Sequence, residues 1–137
     1  MANLFVSYRG NDRSRVKEII ESLKTNGLCH NMIEDVDLDD LRGKNPKKLF
    51  SNDIEPRMAQ CQGSVILIGD DTHSSKITLT REIDFAKTNG WYIFGLHLSG
   101  TDGNLQDMTR NYSKYVDIPN ADSWGQKISK IVGKMEC

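Results

Sequence analysis

Three short apolar bursts constrain this chain more than any other feature: "NLFVSY" (3–8), "SVILIG" (64–69) and "WYIFGLHL" (91–98). None alternates polar with apolar residues, and all are rich in β-branched or aromatic side chains. Such runs suit strands covered on both faces, the condition of a parallel sheet packed between helices. Two weaker runs, "NMIEDV" (31–36) and "KYVDI" (114–118), bring the expected strands to five.

Helical patterns fill the intervals. In "DRSRVKEIIESLKTNG", Val16, Ile19, Ile20 and Leu23 follow the spacing of one helix face, and Gly27 supplies a C-terminal stop. In "NPKKLFSNDIEPRMAQ", Asn45 suits a cap and Pro46 the first helical position, while Pro56 kinks or divides the segment. A third helix carries Leu79, Ile83 and Ala86 on one stripe and closes at "TNG". A last one places Trp124, Ile128, Ile131 and Val132 at helical spacing behind Asp122 or Ser123. Strands alternating with helices predict a flavodoxin-like, three-layer α/β/α fold. Right-handed crossovers favour a five-stranded parallel sheet in the order 2-1-3-4-5. With no repeat or linker to divide it, the chain reads as one domain over 1–137.

Composition removes several function classes. Eighteen basic and nineteen acidic residues leave a net charge of −1, and the densest charge, "EDVDLDD" (34–40), is acidic, so no nucleic-acid partner is expected. "VILIG" is far short of the ~20 residues of a membrane span, and the N-terminus lacks a signal pattern. Cys29, Cys61 and Cys137 share no CxxC spacing, and their odd number suits free thiols in a reducing cytoplasm. His30, His73 and His97 share no ligand spacing with each other or with the cysteines, so no metal is expected; His97 reads as packed or hydrogen-bonded.

Open α/β sheets bind ligands beyond the carboxyl ends of their strands. The loops at that edge begin at Ser7, Tyr8 and Arg9, at Asp35 to Asp40, at Asp70 to Ser75 and at Ser99. Tyr8 offers a flat ring for stacking and Arg9 a fork for phosphate. No dinucleotide fingerprint, P-loop, EF-hand or GxSxG elbow accompanies them. Glu82 falls in the first turns of the third helix, roughly 60° from the centre of its apolar stripe. There it is expected to lie beside the core, partly dry, and to reach into the cleft; Arg81 is a neighbour able to pair with it.

Taken together, "LFVSYRGND", "SVILIGDDTHSS" and "REIDFAKTNGWYIFGLHL" resemble the TIR domain superfamily. The resemblance is to its TIR-like branch that includes the sensor protein of bacterial Thoeris antiphage defence. It covers nearly the whole chain and is strongest over 64–98. Enzymatic TIR domains cleave the nicotinamide–ribose bond of NAD+, some of them cyclising the product. The resemblance implies that Glu82 is the catalytic glutamate and that Tyr8 and Arg9 lie near the nucleotide; Ser7 and Asp70 are further candidates to line that site. Thr78 stands four residues before the glutamate, where members of this branch often carry a tryptophan, so the pocket wall differs here. It further implies NAD+ as substrate with no separate cofactor, a homo-oligomer, and a diffusible nucleotide signal read by a separate effector protein.

Two other readings remain open. One is a non-catalytic TIR-like interaction module with Glu82 on the surface, favoured by Thr78. The other is a phospho-receiver with Asp70 as acceptor; Asp12 sits some distance from its strand, and "VDIPN" supplies no lysine.

Overall fold

The computed structural model describes residues 3–8, 13–25, 27–34, 50–69, 76–98, 105–118, 127–128 and 133. All five strands are present: β1 (Asn3–Ser7), β2 (Asn31–Glu34), β3 (Gly63–Ile68), β4 (Tyr92–His97) and β5 (Tyr115–Ile118). They form one parallel sheet in the order β2-β1-β3-β4-β5. This is the expected flavodoxin-like arrangement, and the strength of each strand's signal follows its place in the sheet. Central β3 is buried at every position, whereas outermost β2 buries none of its four residues fully.

Alternation along the strands divides the core in two. Leu4, Val6, Val65, Leu67, Phe94 and Leu96 project to one side, where helix α1 (Arg13–Thr25) covers them with Val16, Ile19 and Leu23. Ile128, in the described helical pair 127–128, joins that cluster. Phe5, Ile66, Ile68 and Ile93 project to the other side. There Leu79, Ile83 and Ala86 of helix α3 (Lys76–Thr88) pack on them. The apolar stripes expected for both helices are therefore the buried ones.

Both long helices end in the same way. Gly27 and Gly90 adopt φ of 98° and 67°, a left-handed conformation that a Cβ disfavours. Leu28 N–H then donates to Leu23 C=O and Gly27 N–H to Lys24 C=O; Trp91 N–H donates to Ala86 C=O and Gly90 N–H to Lys87 C=O. These paired bonds satisfy carbonyls that the helix leaves open. Leu28 and Trp91 are buried as the chain leaves each helix, so each turn also feeds an apolar side chain into the core.

Pro56 divides its segment as expected, but not by a simple kink. A π-helical turn at Phe50–Ile54 runs directly into the short helix α2 (Glu55–Met58), with Pro56 in its first turn. Proline has no N–H to offer the carbonyl four residues back, so the hydrogen-bond register changes there at little cost. Arg57 ties this unit to the sheet by donating to Glu34 C=O at 2.8 Å. The fourth helix, α4 (Gln106–Thr109), lies beside α3, where Lys87 Nζ donates to Met108 C=O. The cap and first-turn expectations at Asn45, Pro46, Asp122 and Ser123, and the core positions Trp124, Ile131 and Val132, lie outside the described residues.

One expectation about the cysteines is corrected. Cys61 is a free, buried thiol, but Cys29 is disulfide-bonded. An odd count leaves one thiol over; it does not forbid a pair.

Candidate active site

The carboxyl end of β1 holds a polar pair. Ser7 is the last residue of β1 and projects to the α3 side of the sheet, in the same phase as Phe5. Its Oγ donates a 2.8 Å hydrogen bond to Glu82 Oε2, across 75 residues of chain. Ser7 is 4% exposed and Glu82 3%. The sequence places Glu82 at the flank of its helix, half in water; the fold buries it. The helical wheel is right about the angle, but it carries no information on what lies against that flank, and here it is the end of β1. Burying a carboxylate demands hydrogen-bonding partners, and Ser7 supplies one.

Arg81 is half-buried, and its Nε is enclosed without a hydrogen-bond partner. Ser7 is the hydrogen-bond partner of Glu82 Oε2.

Tyr8 follows Ser7 but points the other way. It is 7% exposed and packs in the α1-side cluster with Leu4, Val6 and Leu98. The expected open stacking surface is therefore a core contact, because strand alternation puts consecutive residues on opposite faces. Thr78 lies in the first turn of α3, four residues before Glu82. Arg9 and Asp70 lie outside the described residues, as do Asp12, His73, Ser99 and the stretch from Asp35 to Asp40.

A second polar cluster occupies the same face farther along the rim, where His97 is hydrogen-bonded as expected, with partners that the sequence did not identify. His97 Nε2 lies 2.6 Å from Asp117 Oδ1, and Tyr115 donates its phenol to the same oxygen at 2.9 Å. His97 ends β4, while Tyr115 and Asp117 alternate along β5. Register sets the geometry: Ile93 is opposite Tyr115, and Gly95 is opposite Asp117. Gly95 makes the arrangement possible, since a Cβ there would stand 2.3 Å from the Tyr115 hydroxyl and 2.9 Å from Ile68 Cδ1. Burial foremost, then the hydrogen bond and charge of Asp117, push the Tyr115 phenol well up, which keeps it a donor. The signal available in the sequence was the glycine inside an otherwise bulky strand, a mark of close approach.

Among the described residues no group of three His, Cys, Asp or Glu side chains is placed to hold a metal ion, and no helix is long and apolar enough to cross a membrane.

The arrangement is thus a parallel α/β sheet with a buried serine–glutamate pair where β1 ends and α3 passes over it. Among curated proteins none matches the chain. A family match, however, covers residues 5–103, from β1 through β4, and takes in Ser7, Glu82 and His97. The family is described as Thoeris protein ThsB, TIR-like domain, and with nearly three-quarters of its length inside that match the chain belongs to it.

Proposed function

We propose that this protein cleaves the bond between nicotinamide and ribose in NAD+, with Glu82 as the central catalytic residue. One observation carries the reading: Glu82 is withdrawn from solvent at the carboxyl edge of the sheet and oriented there by Ser7. Nicotinamide leaves as a neutral molecule, so its departure needs little acid assistance. The difficulty is the ribosyl carbon, which becomes oxocarbenium-like as the bond breaks. A fixed carboxylate in a water-poor site stabilises that charge far better than a solvated one, and it needs no reorganisation when the charge appears. Attack by water gives ADP-ribose; attack by a hydroxyl or ring nitrogen of the same molecule gives a cyclic isomer, favoured by proximity.

In this reading Ser7, Arg9, Asp70 and Thr78 border the nucleotide, Tyr8 backs the end of β1 from the opposite face, and no metal or separate cofactor takes part. Residues 1–137 act as one domain that self-associates in the cytoplasm. The product is a diffusible nucleotide for a separate effector protein in antiphage defence.

The test is incubation of the purified protein with NAD+, alone and in lysate from phage-infected cells, followed by mass spectrometry. Release of nicotinamide that falls a hundredfold or more in Glu82→Gln supports the enzyme. Equal turnover in both proteins rejects it.

A second reading, the interaction module, draws on the same burial. A glutamate 3% exposed and held by a serine also serves as a structural tie between β1 and α3. That reading predicts no turnover in either protein under either condition, and a loss of stability in Glu82→Gln.

A further inference from the structure

Resting on the NAD+-cleaving reading, we infer that His97 is the general base that takes the proton from the nucleophile attacking the ribosyl carbon, with Asp117 as its positioning residue.

The argument begins with donors and acceptors. Asp117 Oδ1 receives the Tyr115 hydroxyl at 2.9 Å and faces His97 Nε2 at 2.6 Å. An ionised carboxylate only accepts, so the hydrogen of the imidazole must be on Nε2. The neutral ring then carries its lone pair on Nδ1. A histidine whose tautomer is fixed by a carboxylate is prepared to act as a base at its other nitrogen. Tyr115 holds Asp117 in turn, seated in the space that Gly95 leaves. The His97 side chain is 24% exposed, against 49% for Asp117, so the ring is sheltered without being sealed from a ligand.

Placement along the rim supports the role. Ser7 is opposite Ile66, Ile66 is opposite Gly95, and His97 is two residues farther along β4 on the same face. Two strand spacings across and two residues along put the Ser7 and His97 Cα atoms about 12 Å apart. Ile66 and Ile68, on the strand between them, are buried in the cluster that α3 covers. Asp117 lies beyond the span of the family match, on the fifth strand.

In the step itself the C1′–N bond breaks and its electron pair leaves with nicotinamide. The attacking hydroxyl oxygen bonds to C1′ while its proton passes to His97 Nδ1, and the imidazolium later returns that proton to solvent. A pyridine base that attacks the same carbon brings a lone pair and no proton, so it needs no base.

That difference supplies the experiment. The full chain is given NAD+ with and without 3-acetylpyridine, and hydrolysed, cyclic and exchanged products are quantified. His97→Gln is expected to form the hydrolysed product, and any cyclic product closed through a hydroxyl, about a hundredfold more slowly, while exchanging the pyridine base and closing through a ring nitrogen at the wild-type rate. Asp117→Asn should show a smaller loss in the same pattern. Retained exchange also reports an intact fold. The inference is overturned if His97→Gln keeps full formation of the hydrolysed product, or if it loses that product and exchange equally, as a merely structural histidine would. If the wild type forms no product and performs no exchange, the NAD+-cleaving reading fails and this inference fails with it. If the wild type is active, Glu82→Gln is dead and His97→Gln is unchanged, only this inference fails.

Discussion

Ser7 Oγ donates to Glu82 Oε2 at 2.8 Å, and this one bond joins the end of the first strand to the helix that crosses over it. Both side chains are buried, so substitution of the serine has two separable effects. Ser7→Ala withdraws a donor from an enclosed carboxylate, which should cost about 1–3 kcal/mol of stability. The carboxylate also loses its orientation, and NAD+ turnover should fall roughly ten- to a hundredfold. Urea denaturation gives the first quantity and initial rates at saturating NAD+ the second. Unchanged stability would show that the bond is not contributing in solution.

How much of this was legible in the sequence depends on whether a feature is local. Strand β3 could be read from "SVILIG" because every residue of it is buried, and Gly27 and Gly90 marked helix ends because only a left-handed residue closes those turns. Glu82 was legible as a candidate but not as a buried one. Its neighbour in space is a strand residue 75 positions away, and no helical wheel contains that neighbour. The His97–Asp117 contact was illegible for the same reason. It depends on β4 and β5 aligning so that Gly95 is opposite Asp117, and a shift of one residue would send Asp117 to the other face. The π-helical turn before Pro56 was legible only as an interruption, since proline signals a missing donor without saying how the carbonyls regroup.

Gly95 and Tyr115 should be energetically coupled. A Cβ at position 95 would stand 2.3 Å from the Tyr115 hydroxyl and 3.1 Å from its Cζ. The ring cannot simply swing away, because its hydroxyl is bonded to Asp117. Gly95→Ala should therefore destabilise the protein by about 1–3 kcal/mol. Tyr115→Phe removes the atom in closest approach, so the same glycine substitution in that background should cost less, although Ile68 Cδ1 at 2.9 Å retains part of the clash. A double-mutant cycle by thermal or urea unfolding measures the coupling. Strict additivity would mean that the strand shifts instead of the ring.

Cys61 should be inert in the folded protein. It is 5% exposed, its thiol donates to Arg57 C=O at 3.5 Å, and burial pushes its pKa up to about 11. The thiolate is the reactive form, so at pH 8 both access and ionisation oppose alkylation. Labelling with iodoacetamide followed by peptide mapping should find Cys61 unmodified in buffer and modified in step with unfolding as urea rises. Rapid modification without urea would show that the α2–β3 junction opens locally.

His30 should make the fold sensitive to mild acid. It is 1% exposed, immediately before β2, with Nε2 lacking a hydrogen-bond partner among the described residues and Nδ1 3.7 Å from Cys29 Sγ. Burial lowers its pKa, because an enclosed ring is harder to charge than a solvated one. The folded protein therefore holds His30 neutral where the unfolded chain, with an ordinary histidine pKa of about 6.5, already binds a proton. Stability is unaffected well above that value. It declines as pH falls below about 6.5, by up to ~1.4 kcal/mol per pH unit for this one group, and the decline stops once pH passes below the lowered folded pKa. Urea midpoints measured from pH 8 to pH 5 should show this loss in the wild type and a smaller one in His30→Leu, which has no proton to bind. The carboxylates contribute the same background slope to both proteins, so the difference between the two curves isolates the histidine. Parallel curves would mean that His30 is hydrated or partnered in solution, and that the lower edge of the sheet is more open than its packing implies.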